Sequence, residues 1–401
     1  MATILPFKGI LPQKELADKI VTYPADSYTL DEVKSILQKN ELSYLSVIYP
    51  DFIDKQKTAP HSLERYNKIY KRFQHFLKNN YLVQDTDPLY YVYQQQHSAY
   101  VFNGIIAAIS VEDYIQQKIK IHEQTLSDRE IKLKEYLKHC KINAEPVLFF
   151  YEKNKSLQEI IINIQQQTPA IQIERDGIKH YLWKSTQREI NEQIYHQFKQ
   201  MPYLFIADGH HRSASSVLLA KEMGTTYKST QYFLGSFFQE DNLKIFSFHR
   251  VLKNIVIPSN FLDRLSKHFE CVELSNEYSL KKGHIGMYFD TKRYLLKFRT
   301  KIDALDTEVL YQYILKEIFQ IQDIRNNQSI EYLPEYTYSI ESVEQLVNEG
   351  KYMLAFFTSA VTIDSIKKYA LSNLKMPPKS TYILPKLLNA LVLYSLENSI
   401  E

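Results

Sequence analysis

The chain is poor in glycine, with nine, and poorer in cysteine, with two among 401 residues. Cys140 and Cys271 stand apart with no C-x-x-C spacing. That excludes a disulfide framework and a cysteine-built zinc cluster, and it suits a reducing compartment. No segment approaches the roughly 18 apolar residues of a membrane helix. The stretch from Met1 to Lys8 lacks the basic-then-apolar pattern of a secretory leader, so a cytoplasmic location is expected. Neither sign of charge dominates: 49 basic against 46 acidic residues leave a net +3. No global field draws such a chain onto nucleic acid or an anionic membrane, and any polyanion contact must be local. Low-complexity linkers and internal repeats are also missing.

What remains is an ordinary globular composition, 44% hydrophobic and 24% charged, with an unusual 31 tyrosines that genome composition explains as readily as function. The length exceeds one typical core. Three lobes are expected: residues 1–145, a central lobe 146–255 and a C-terminal lobe 256–401.

Helices and strands alternate along the chain. Thr29-Leu30-Asp31-Glu32 has capping-box spacing and predicts a helix through Lys39. A second helix is expected over 62–80. Leu89–Tyr93 and Tyr100–Ile109 read as paired strands around a Gln94–Ser98 turn. The charged stretch 122–141 reads as mainly helical, and Pro146–Tyr151 as a buried strand. Further helices are expected over 156–167 and 188–199, with short strands between 171 and 183. Phe233–Phe238 and Ile245–Arg250 each read as one strand, and 285–288 with 294–298 as a hairpin. The interleaving lacks the regular repeat of a doubly wound sheet, which favours α+β.

The most informative stretch is Leu204-Phe205-Ile206-Ala207-Asp208-Gly209-His210-His211-Arg212. An apolar strand breaks at an Asp-Gly turn and enters a helical pattern, Ser213 to Met223, that stops at Gly224. A helix N-terminus offers unpaired N–H groups and partial positive charge, which suits a phosphate or carboxylate. Gly209 permits close approach of a ligand, Arg212 offers a planar fork of donors, and an imidazole titrates near neutrality. Asp208 can orient a histidine or hold a metal ion. The plainer reading is that Asp208 caps the helix and the histidines cover a surface turn.

Two further constellations stand out. His122-Glu123 with Thr125 pairs an imidazole with a carboxylate, a general base or magnesium ligand. It is not H-E-x-x-H, because Leu126 occupies the fourth place, so a zincin site is unsupported. Pro377-Pro378-Lys379-Ser380-Thr381-Tyr382, with Lys386, presents one cation and two hydroxyls before a helix expected near Pro385. Such a loop suits a phosphate or an amino-acid carboxylate, or simply caps that helix.

These motifs, together with Pro6-Phe7-Lys8-Gly9, Tyr23-Pro24-Ala25-Asp26, Ile119–Thr125 and Pro385-Lys386, resemble domain-of-unknown-function family 1015 nearly end to end. The family usually reads Pro-Pro-Tyr-Asp where Tyr23–Asp26 stands, and carries an Asp-Arg pair where Lys132-Leu133 stands, while Glu130 matches. The resemblance implies an α+β fold with a mixed sheet core like that of the ParB and sulfiredoxin clan, with added α/β lobes. That clan includes nucleotide binders whose Gly-x-x-Arg turn grips phosphates, and kinases that phosphorylate free serine. Gly209-His210-His211-Arg212 has that spacing.

The resemblance thus implies a phosphotransferase using ADP or ATP with Mg2+ on a small polar acceptor, free L-serine foremost. Gly209, His211, Arg212, Lys379, Ser380 and Thr381 would hold phosphate or nucleotide. Glu123, Asp208, His122 and His210 would do the chemistry, and Asp208 and Glu123 would hold the metal. Two other classes compete. A ParB-like regulator is disfavoured by near-neutral charge and the lack of a helix-turn-helix or a basic recognition stretch. A metal-dependent hydrolase would need His122, His210 and His211 to converge.

Overall fold

The computed structural model describes residues 2–300, 303–325 and 327–400. The chain forms two compact units, one of Met1–Ile121, Thr125–Leu243 and Pro385–Glu401, the other of His122–Gln124 and Lys244–Leu384. The expected boundary near 145 falls inside the first unit and that near 256 inside the second, because sheet pairing runs across both positions.

The first unit is built on a nine-stranded mixed sheet. Its order is 119–120, 204–208, 147–151, 232–239, 101–110, 90–96, 178–185 and 171–175, with 4–5 joining 101–110. Strands 119–120 and 204–208 run parallel, as do 147–151 and 232–239, and the remaining pairs are antiparallel. The 90–96 strand runs further than expected, through the glutamines, and pairs Gln94 with Asn103. Gln94 Nε2 donates to Asn103 Oδ1 at 2.8 Å, and buried Gln95 accepts from the Tyr93 hydroxyl at 3.2 Å. Satisfied amides keep a polar run in the ladder.

Helices 155–165 and 188–200 cover this sheet with Leu157, Ile161, Ile194 and Phe198, which share a core with Phe149, Tyr151 and Phe237. Phe149 stacks on Phe237 at 5.1 Å, and Phe198 meets Phe237 edge-on at 5.3 Å. A second core holds the 63–78 helix, whose buried Tyr66, Ile69, Phe73 and Phe76 recur at helical spacing. The Thr29 capping box forms as expected: Thr29 N donates to Glu32 Oε2 at 2.7 Å and Glu32 N to Thr29 Oγ1 at 3.3 Å. Much of the tyrosine excess is internal, with Tyr44, Tyr90, Tyr91, Tyr93, Tyr151 and Tyr394 almost wholly buried.

The helix expected near Pro385 does not form. Residues 385–400 thread through the first unit as irregular chain: Asn389 N donates to Thr22 O at 2.7 Å and Leu393 N to Ile10 O at 2.8 Å, and Tyr394–Ser395 pairs with Ile142–Asn143. Ala390 lies at φ 61°, which breaks a helix, and its neighbours' amides are taken by distant segments.

The second unit centres on an all-antiparallel six-stranded sheet, ordered 269–274, 292–298, 284–289, 354–358, 248–252, 330–334. Its expected hairpin is present, closed by Asp290 and Thr291 at φ 51° and 60°, the two left-handed residues of a tight hairpin turn. The single strand expected over 245–250 is two. Lys244–Phe246 pairs with Tyr382–Leu384, while Phe248–Leu252 joins the six-stranded sheet. The break is at Ser247, whose N–H goes to Glu335 Oε2 at 2.8 Å. The helix expected from 122 starts only at Ser127, after an extended Leu126, and runs to Cys140.

Candidate functional site

In the first unit, Leu204 through Ala207 are buried strand residues and Asp208 ends the run. The ladder with 147–151 shifts register between Ile206 and Asp208, a bulge that re-aims the carboxylate. Gly209 follows in a left-handed conformation at φ 98°, ψ 27°, which a side chain rarely adopts. A Cβ there would also lie 3.1 Å from the Arg212 guanidinium carbon. The helix then spans His210–Met223, starting before the expected Ser213, so His210, His211 and Arg212 all lie on its first turn. Its N-cap is Gly209 with no side-chain cap bond, so Asp208 is not the cap that the plainer reading required. Ser213, Ser215 and Ser216 turn their hydroxyls back onto the carbonyls of His210 and Arg212 at 2.9 Å.

Charged groups from three separate stretches meet at this turn. Arg212 Nη1 lies 2.8 Å from Glu145 Oε1 and donates to the Pro146 carbonyl, and Nη2 lies 3.9 Å from Asp208 Oδ1. Lys386 Nζ lies 2.8 Å from Asp208 Oδ2. Burial opposes ionisation of Asp208, but Lys386, Arg212 and the nearby His210 outweigh it and hold its carboxyl well below the usual range. The side chain is nevertheless 43% exposed. For Glu145 the balance is opposite: burial, with the charges of Asp208 and Asp26, outweighs Arg212 and Lys386 and pushes its carboxyl up. The turn therefore holds one fixed anion, two cations and one acid nearer to proton exchange. His210 is buried and His211 half-buried.

The other expected site residues belong to the second unit. His122 is buried and its carbonyl accepts from Met376 N at 2.8 Å, so the His122–Gln124 segment lies against the C-terminal loop. Glu123, half-buried, sits on a bend rather than a helix. In the loop, Ser380 is buried and donates to Pro377 O at 2.8 Å, with its oxygen 3.1 Å from Thr307 Oγ1. Lys379 is exposed at φ 55°, its Nζ 5.4 Å from the centre of the Phe248 ring, and Thr381 is half-buried. Glu145 escaped the sequence reading because it lies in no motif, and Lys386 entered only as part of the C-terminal loop.

Among the described residues, no group of three or more His, Cys, Asp or Glu is arranged to hold a metal ion, and no helix is long and apolar enough to cross a membrane.

Mixed α/β architecture and a glycine-opened helix carrying histidines and an arginine define the class. The chain belongs to a family of proteins of unknown function, DUF1015, whose model matches residues 4–317. No curated protein matches it. Among solved structures it resembles a variant of a free serine kinase in complex with ADP, at 14% identity and TM-score 0.40, covering 74% of this chain and 91% of that one. It also resembles SbnI from Staphylococcus aureus, at 12% identity and TM-score 0.40 over 71% and 85%. A conserved hypothetical protein from Pyrococcus furiosus is similar at 15% identity and TM-score 0.37 over 74% and 94%. Likeness at this level fixes no activity for this chain.

Proposed function

We propose that the protein is a nucleotide-dependent phosphotransferase acting on a small molecule, with free L-serine as the acceptor. The observation that carries this reading is the turn at 208–212, where a left-handed glycine opens a 14-residue helix whose first N–H groups have no side-chain cap. Arg212 and Lys386 flank it. Such a terminus receives a phosphate through backbone donors and the helix field, and Arg212 can release Glu145 to grip phosphoryl oxygens in a fork. Gly209 and His211 line the same approach.

Among the acids, Asp208 is a poor proton acceptor, because its neighbours hold it ionised. Its role in this scheme is to orient Lys386 and Arg212; Asp208 in the first unit and Glu123 in the second are each proposed as a Mg2+ ligand. Bound with the nucleotide, Mg2+ would neutralise charge on the phosphates. Glu145, whose carboxyl is raised, is better matched to accepting a proton from a hydroxyl, as is the His210 imidazole; Glu123 and His122 are the proposed acid–base groups of the second unit. Lys379, Ser380 and Thr381 are the proposed phosphate-binding residues of the second unit. Kinship with the ParB and sulfiredoxin-like fold, a cytoplasmic location and independence from nucleic acid are parts of the same proposal.

The test is mass-spectrometric detection of O-phosphoserine after incubation with L-serine, Mg2+ and either ADP or ATP, with Arg212→Ala as control. Product that depends on Arg212 is expected, and the donor that gives it is thereby identified. Absence of product with both donors overturns the serine kinase reading. Glu123→Gln is expected to bind nucleotide normally and turn over slowly; full activity removes Glu123 as base.

A further inference from the structure

The second unit buries a cation that no acid among the described residues pairs with. Arg250, on the 248–252 strand, is 3% exposed. Among the described residues its guanidinium donates to neutral groups: Nη1 to the Phe248 carbonyl at 2.7 Å and to Thr358 Oγ1 at 3.5 Å, and Nη2 to the Lys379 carbonyl at 3.1 Å. The Tyr332 ring lies 5.7 Å from its central carbon. No carboxylate forms an ion pair with it among the described residues. Burial accordingly pulls its pKa down to about 10, opposed only by Tyr332. Removing a charge from water without a counter-charge is costly, so a guanidinium kept in this condition calls for compensation.

A second cation stands beside it. The carbonyl of Lys379 is the acceptor for Arg250 Nη2, and Lys379 Nζ lies 5.4 Å from the ring centre of Phe248, the residue whose carbonyl takes Nη1. The Lys379 backbone is held left-handed at φ 55°, and the next residue, Ser380, is pinned to Pro377 and Thr307. The loop is thus built to present one lysine next to a buried arginine. Two cations thus belong to one loop and its neighbouring strand, one buried and one exposed, and among the described residues no carboxylate is ion-paired to either. They attract a small anion strongly when one binds.

We propose that Arg250 and Lys379 form a binding site for a small oxyanion, a phosphate or carboxylate group, in the second unit. Arg250 supplies the buried charge and Lys379 the accessible one. Arg250 has a second task as a positioning residue, since its bond to the Lys379 carbonyl fixes the turn from which that side chain projects. The proposal deepens the phosphotransferase reading, within which Lys379 serves a phosphate, but it does not depend on nucleotide binding at Arg212.

The experiment is titration calorimetry of the full chain in the Arg212→Ala background, which silences the 208–212 turn, with inorganic phosphate and with acetate as separate probes. Saturable binding of at least one probe is expected, and the tighter of the two identifies the source of the oxyanion. Lys379→Gln should weaken it about tenfold, the usual effect of losing one charge-assisted contact. Arg250→Met should abolish it. Should Arg250→Met fail to fold, Arg250→Lys keeps a charge, loses the fork, and is expected to bind measurably more weakly. Absence of saturation with both probes, or equal affinity in the Lys379 and Arg250 variants, overturns the site. Loss of O-phosphoserine formation with oxyanion binding intact would instead overturn the kinase reading alone.

Discussion

The 208–212 turn and the 376–381 loop look alike as sequence, each offering a cation and small polar groups beside a proline- or glycine-shaped bend, yet the structure uses their polar groups in opposite ways. At the turn the backbone amides are left without a side-chain cap, and the charged side chains face one another around a 43% exposed Asp208. In the loop the best hydroxyl, Ser380, is buried in bonds to Pro377 and Thr307. Only the lysine is exposed there, next to an arginine from another strand. Residue type therefore announces what a segment can bind, while the local hydrogen-bond partners decide which of its groups remain available.

The difference is sharpened first by Arg212→Ala. Nucleotide affinity should fall at least about a hundredfold, as for loss of a bidentate charged contact together with its ordering of the turn, with the fold retained. Calorimetry alongside circular dichroism checks this, and unchanged affinity would remove the phosphate cradle from the turn. Gly209→Ala comes next. At φ 98° an alanine is strained, and its Cβ would press on the Arg212 guanidinium, so stability should fall by about 1–2 kcal/mol and nucleotide binding with it. Gly209→Asn should recover part of both, and an alanine variant as stable as the parent in urea would contradict the strain.

Ser380→Ala should weigh the other way, losing about 1–2 kcal/mol of stability from a broken buried hydrogen bond and reducing nucleotide affinity less than Arg212→Ala does. A large change in affinity with no change in stability would make the loop the more functional of the two.

The smallest effect is in pH. Asp208 has a carboxyl depressed in the folded state, so its contribution to stability is fully present above its unfolded pKa, roughly 4, and is lost as pH falls through the lower folded value. Lys386→Met removes one of the cations that depress it, and should move that loss to higher pH in denaturation midpoints collected between neutral and acid pH. Superimposable profiles for variant and parent would show that the Lys386 pair contributes nothing measurable.

Much of this was legible in advance. The Thr29 capping box, the apolar runs at 147–151 and 204–207 and the 284–298 hairpin follow from periodicity and cap chemistry, which act over a few residues. Misreadings arose where a distant partner intervened. The glutamines at 94–96 stay in a strand because Asn103 satisfies Gln94. Ser247 divides a strand because Glu335 takes its N–H. Residues 385–400 are no helix because Thr22, Ile10 and the 142–143 strand take up their backbone. The site divides in the same way. Asp208 to Arg212 could be recognised because one short stretch carries the whole turn, whereas Glu145 and Lys386 reach it from elsewhere in the chain.

Sequence alone determined the strand, the break at Asp-Gly and the helix that follows, because those preferences are set by backbone sterics and by hydrogen bonds between near neighbours. Tertiary structure alone decided which charges meet. The register shift at Asp208, the return of Lys386 to its carboxylate, the raised Glu145 and the burial of Arg250 among neutral acceptors all depend on burial and on separations of a few ångströms between residues far apart in the chain. Electrostatic energy responds to those distances and to exclusion of water, and neither is encoded in any one segment.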